Sequence, residues 1–185
     1  TSIYSDGTGT SGKEVGGLQL IVADAGTGTV GGINSSTYTF WQNAQTTATS
    51  SAFSVANVQT DMNTIYLSLV RGADSPDLVM AGTNAYTAFL GSLQAIQRIT
   101  SDDMARSGFT SLQYLNSDVV FDSACNTNRM YFLNTDYLRL EVAASRDFVP
   151  GEAKMSVNQD AMVTPMFWSG NLTCSNRALQ GVIHT

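Results

Sequence analysis

The chain has 185 residues, of which 43% are apolar and only 13% charged, with a formal net charge of -6. That length and apolar fraction bury one substantial core, with room for a smaller lobe beside it. The nine Lys and Arg are scattered, too few and too dispersed to neutralise many phosphates, which argues against a dedicated DNA- or RNA-binding protein. No run of about 18 apolar residues is present, so nothing reads as a membrane-spanning helix. A surface covered by Ser, Thr, Asn, Gln and Gly rather than by charge suits a protein largely covered by neighbours, and extracellular adhesins share it.

Residues 5 to 39 are rich in Gly, Ser and Thr, with apolar islands at Leu18 to Ala23 and Val30 to Ile33. GTGT leads to VGGL at Val15 to Leu18 and again to VGGI at Val30 to Ile33, an echo that reads as two related loop junctions in which glycine permits positive φ or close backbone approach. From Phe53 to Arg71, Val55, Val58, Met62, Ile65, Tyr66 and Leu69 recur at steps of three and four, which predicts an amphipathic helix. Ser50, Ser51 or Ser54 is placed to cap it, and Gly72 stands where a C′ glycine belongs. Asp77 to Ala81 reads as a short buried strand. Thr83 or Asn84 then opens a second helix with Tyr86, Phe89, Leu90, Leu93 and Ile96 on its apolar face.

After a polar loop at Thr100 to Ser111 the pattern turns to strands. Leu115 to Asp122 and Arg129 to Asn134 flank the Cys125-Asn126-Thr127-Asn128 turn, which has hairpin chemistry. Tyr137 to Val142 alternates, with Leu138, Leu140 and Val142 on one side and Tyr137, Arg139 and Glu141 on the other. A long strand pattern from Asp160 to Cys174 is broken by Pro165, the mark of an edge or a bulge. The order predicts an α+β fold rather than the alternating βαβ of a nucleotide-binding sheet.

Catalytic motifs are thin. Gly7 to Lys13 fits G-x-x-x-x-G-K, and Gly7, Gly9 and Gly12 fit G-x-G-x-x-G, as do Gly26, Gly28 and Gly31. Glu14 stands where a phosphate loop places Ser or Thr for magnesium, no strand of adequate length precedes Gly7, and Gly16-Gly17 oppose a following helix. The nucleotide reading fails on all three counts. The single histidine, His184, lies at the chain's edge, where mobility is expected. Cys125 and Cys174 lack metal-ligand spacing and read as buried thiols. Asp102-Asp103, beside Met104 and Arg106, reads as loop solvation or a helix cap, and Asn171-Leu172-Thr173 is a sequon inside an apparent strand. No catalytic, cofactor or metal site is expected. Tyr38, Phe40, Trp41, Phe167 and Trp168 read as core, and any that face outward become anchors for a subunit interface.

The arm SDGTGTSGKEVGGLQLIV with GTVGGI and FWQN, the long helix followed by PDLVMAGTNAYTAFL, then MYFLNTDYLRLEV and VNQDAMVTPMFWSGNLTCSNRALQGVI together resemble the major capsid protein of tailed bacteriophages, the Hong Kong 97-like shell fold. The resemblance spans nearly the whole chain. It implies a Gly-rich arm at 1–52 ending the extended loop, a peripheral domain at 53–76 and 137–185 built on a long spine helix around Ser54 to Val70 and a β-sheet, and an axial α/β domain at 77–136. It further implies a virion protein, assembled in the bacterial host cytoplasm from copies of itself as hexamers and pentamers, with scaffold and portal proteins as further partners. Packaged double-stranded DNA would be enclosed without sequence specificity, which the acidic balance suits. Family members carry an N-terminal arm and more of the extended loop before this point, and with Thr1 leading, the chain is expected to be a proteolytic or engineered fragment. Some relatives crosslink through Lys and Asn; neither Lys13 nor Lys154 sits at a matching motif. An adhesin module and an encapsulin-like cargo shell are the alternatives.

Overall fold

A computed structural model describes residues 3–94, 111–155 and 160–185. A single turn, α1 (Gly9–Gly12), and the short helix α2 (Leu18–Ile21) lead into a small hairpin, β1 (Thr29–Val30) and β2 (Ile33–Asn34). Strand β3 (Ala44–Thr47), helix α3 (Val58–Leu69), strand β4 (Leu78–Ala81) and helix α4 (Thr83–Gln94) follow. Then come β5 (Ser111–Tyr114), β6 (Ser117–Phe121), β7 (Arg129–Leu133), β8 (Leu138–Val142), β9 (Val149–Pro150), β10 (Lys154–Met155), β11 (Met162–Val163), β12 (Met166–Phe167), β13 (Gly170–Cys174) and β14 (Gly181–His184). The outcome is a mixed α/β chain organised around a sheet.

That sheet has six strands in the order β3-β14-β7-β4-β6-β5. Strands β14 and β3, and β4 and β6, run parallel, whereas β14-β7, β4-β7 and β5-β6 are antiparallel. The period-2 alternation of the central strands serves two faces at once. Val79, Ala81, Met130, Phe132 and Ile183 face Met62, Ile65, Leu69 and Phe89 of the two long helices. Leu78, Met80, Tyr131, Leu133 and Val182 face Tyr4, Leu18, Ile21 and Val22. The Gly-rich N-terminal segment thus closes the second face. Gly181 lets α3 lie close against β14: a Cβ there would meet Leu69 Cδ1 at 2.8 Å and Ile65 Cγ1 at 3.1 Å.

Several expectations are corrected. Helix α3 begins at Val58, not Phe53, and its leading residue Asn57 makes no side-chain cap; Val55 precedes the helix and is exposed. Asp61 in the first turn instead accepts from Thr49 N–H at 3.0 Å and Thr49 Oγ1 at 2.6 Å, anchoring the preceding loop. The helix is closed by Val70, and Gly72 takes φ +65° in the turn beyond, where Arg71 pairs with Asp74. Helix α4 matches its predicted face at Tyr86, Phe89, Leu90 and Leu93, while Ile96 and nearly all of the polar loop before Ser111 lie outside the described residues.

Leu115 does not open a strand; it occupies the turn between β5 and β6 with φ +54°. The Cys125 to Asn128 turn does not make a hairpin, because β6 and β7 both pair with β4, which lies between them. The long Asp160 to Cys174 strand divides into β11, β12 and β13. Pro165, as expected, stands at one interruption, where its carbonyl accepts from Gly151 N–H at 2.7 Å. His184 is held in the sheet rather than at a mobile edge: it pairs with Arg129 and Thr47, and its Nε2 lies 3.3 Å from Gln45 Oε1. Sequence pattern missed both β3 and β14.

The two echoed glycine pairs serve different ends. Gly31 and Gly32 take φ +61° and +78° in the turn of the β1–β2 hairpin, where left-handed backbone matches strand twist. At Gly17 the carbonyl of Ile3 leaves no room for a Cβ.

Candidate assembly interface

Beyond the sheet the chain builds a ribbon arm from residues 138–155 and 160–174. Strand β8 pairs with β13 at its root, β9 with β12 further out, and β10 with β11 beyond that. The root is fixed to the body. Leu138, Leu172 and Cys174 pack against the second core cluster, and Asn171 Oδ1 accepts the N–H of Gly16 at 2.8 Å. Cross-strand partners share a face, so Leu138 with Cys174, Leu140 with Leu172 and Val142 with Gly170 form the apolar stripe that the alternation predicts.

Past the root, the arm exposes apolar side chains to solvent. Met155 and Met162, directly opposite each other, are 73% and 72% exposed, and Met166 is 66% exposed. Phe148, Val149, Val163 and Phe167 are exposed as well. Phe148 and Trp168 approach at 6.3 Å between ring centroids, and the Arg146 guanidinium lies 5.4 Å from the centroid of Phe167. These contacts order the ribbon without burying it. Flexible thioethers, aromatic rings and Arg are the residue types enriched where proteins meet, and a two-stranded ribbon with no core of its own is marginal in water. Its chemistry is that of a contact surface awaiting a partner.

A second apolar projection lies on the Gly-rich segment. Tyr38 and Phe40 are exposed, with ring centroids 6.0 Å apart. Of the aromatics singled out in the sequence, these two and Phe167 face outward. Trp41 is half-buried and donates its Nε1–H to Val30 O at 3.2 Å, and Trp168 is half-buried within the arm. The methionines at 155, 162 and 166 are the most exposed of the arm's large apolar side chains, and sequence reasoning passed over them. Their signal was composition: three of the seven methionines fall within residues 155–166.

The remaining sequence candidates do not converge. The Gly7–Gly12 loop wraps its own Glu14, whose Oε2 accepts from Ser5 Oγ at 2.9 Å, and a Cβ on Gly9 would overlap the Glu14 carboxyl group. Cys125 is buried, and desolvation pushes its thiol up to about 11, reinforced by the nearby Asp122 charge. Burial likewise raises Cys174. Asp102 and Asp103 lie outside the described residues. Among the described residues, no group of three or more His, Cys, Asp or Glu could hold a metal ion, and no helix is long and apolar enough to cross a membrane. An open cleft of about 580 Å³ beside the start of α4 is lined by Ser51, Phe53, Ser54, Asn84, Thr87 and Asn128 among others, hydroxyl, amide and apolar groups without a side-chain acid or base.

No family model and no curated protein matches the chain. Among solved structures, the cyanophage A-1(L) capsid asymmetric unit is similar over 97% of this chain and 62% of that one, with a TM-score of 0.69 and 16% identity. The fold is therefore that of a phage capsid chain, with a mostly sheet core. The present chain spans 62% of the length of that neighbour.

Proposed function

We propose that this chain is a subunit of the shell of a tailed phage or prophage, of the Hong Kong 97 type, associating with copies of itself into hexamers and pentamers around double-stranded DNA. The observation that carries the reading is the exposed Met- and Phe-bearing ribbon arm on a fold similar to a capsid chain. Shell proteins bury such arms against symmetry-related neighbours, so an apolar ribbon that is unstable alone becomes ordered on assembly. In this reading α3 stands for the spine helix, residues 77–136 for the lobe near the capsomer axis, and scaffold and portal proteins are further partners. Assembly takes place in the host cytoplasm and the product is a virion.

The test is negative-stain microscopy of the full-length gene product. Closed polyhedral shells are the expected outcome, and monomers at high concentration would count against the proposal. Nucleic acid inside the shells distinguishes a virion from an encapsulin-like cargo compartment, which shares the fold.

A further inference from the structure

Between Ala23 and Asn43 the chain has little apolar packing: Val30 is partly buried against the second core cluster, and most other side chains face solvent. Its start is tied to β7 by the Arg129–Asp24 ion pair, and what holds the remainder is one buried cation. Arg177, in the short turn Arg177–Leu179, is completely buried. Its Nε donates to Ile21 O, Nη1 to Ser35 Oγ at 3.0 Å and to Trp41 O at 3.5 Å, and Nη2 to Thr27 O at 3.4 Å. All four acceptors are neutral. Among the described residues no carboxylate pairs with Arg177, and the one ion pair is Arg129 with Asp24.

The rest of the segment is tied to the same points. Ser35 returns both its N–H and its Oγ–H to Gly28 O, at 3.1 and 3.0 Å, and its carbonyl accepts from Gln42 Nε2 at 3.1 Å. Asn43 closes the neck, accepting from Ala23 N–H at 3.2 Å and donating to Ala23 O at 2.9 Å. The planar guanidinium therefore reads three separated points of the loop at once, at Thr27, Ser35 and Trp41, and fastens them to Ile21 O at the end of α2, which an ammonium cannot do.

We infer that residues 25–42 form a lobe that unfolds as a unit, ahead of the sheet, with Arg177 as its latch and the Tyr38–Phe40 pair as its cargo. Closing the lobe strips water from a full charge and replaces it with neutral dipoles alone, so desolvation opposes closure. Opening returns that charge to water and breaks few apolar contacts. Local openings of this kind lie at the low end of a protein's stability range. The sheet, buried on both faces, lies at the other end. The exposed aromatic pair is held in a fixed place only while the latch is made.

Native-state hydrogen exchange under low urea tests this on the intact chain. Amides of Ser35, Tyr38 and Trp41 are expected to exchange at least roughly tenfold faster than those of Val79, Phe132 and Val182, and with a weaker urea dependence. Arg177→Lys, and separately the milder Ser35→Ala, should accelerate the lobe amides by roughly a further tenfold while leaving the three sheet amides unchanged. In a Trp168→Phe background, Trp41 is the remaining tryptophan, and its emission should shift to the red in both variants. Lobe amides that exchange in step with the sheet, or lobe protection untouched by either variant, overturn the proposal.

Discussion

The Glu14 carboxyl group occupies the space that a Cβ on Gly9 would need, so the loop with the glycine spacing of a phosphate cradle is filled by the protein's own carboxylate. Gly9→Ala should displace Glu14 from Ser5, and because that side chain is flexible the loss should be confined to about one hydrogen bond, roughly 1 kcal/mol. The same occupancy predicts that MgATP leaves the thermal midpoint unchanged, since a ligand that binds only the folded state would raise it. The informative comparison is Glu14→Ser, which completes the motif. With α1 a single turn, no shift is expected there either, and a shift in that variant alone would mean the carboxylate is the only obstacle.

The exposed methionines offer a direct test of the arm. Because Met155, Met162 and Met166 bury little within one chain, replacing all three with Gln should move the thermal midpoint by no more than about 2 °C. Self-association should weaken by roughly tenfold or more if these side chains seat in a neighbour. Analytical ultracentrifugation over a concentration series measures both species. Identical sedimentation of wild type and variant would remove the arm from the interface.

Leu115 combines a left-handed backbone, φ +54°, with 66% exposure. A branched side chain in that region is strained by about 1–2 kcal/mol, and exposure returns little of it. Leu115→Gly should therefore stabilise the isolated chain by roughly 0.5 kcal/mol, the strain relieved less the extra entropy glycine has when unfolded. Urea unfolding at constant slope would register the gain as a higher midpoint; a lower midpoint would show that the Leu115 side chain contributes contacts within the chain.

Stability should fall on the alkaline side. Burial, foremost, raises the phenols of Tyr4, Tyr114 and Tyr131 above their ordinary value of 10, Tyr114 to about 12, and the Cys125 thiol from 9 to about 11. Tyr4 also donates to Asp122 Oδ2 at 2.7 Å, which holds its proton further. Each folded pKa lies above its unfolded value, so the stabilisation is complete below about pH 9 and is lost as pH rises through the folded values. Denaturation followed from pH 8 to 11.5 should show that decline, shallower in Tyr131→Phe. A flat profile would mean these groups are hydrated in the folded chain.

Where local pattern and burial agreed, the sequence was readable. Helix α4 followed from the period of its apolar face, strand β4 from a short apolar run and strand β7 from a strand pattern beside a turn, since each meets the core. Strand β3 escaped because an edge strand reading Ala-Gln-Thr-Thr carries no apolar alternation, and β14 because four residues between a turn and the end of the chain hold too little pattern. The neighbour order was equally hidden: β6 and β7 are adjacent in sequence, yet β4 separates them, and no local signal encodes an inserted strand. Of the interface, Tyr38, Phe40 and Phe167 were legible as conditional anchors. The methionines were not, because an exposed Met and a core Met look alike until the strand around it is known to be unsupported.

The position of β14 bears on how the molecule is made. Val182 pairs with Gln45 on one side and with Tyr131 on the other, so the sheet lacks an inner member until residues 181–184 have been synthesised. During synthesis the edges of β3 and β7 remain open beside a Met- and Phe-bearing ribbon, and such intermediates aggregate readily. Closing the gap requires residues 181–184 to meet residues 44–47, far back in the sequence, which makes completion slow. A nascent copy is thus exposed to its siblings, and to chaperones, until β14 is in place.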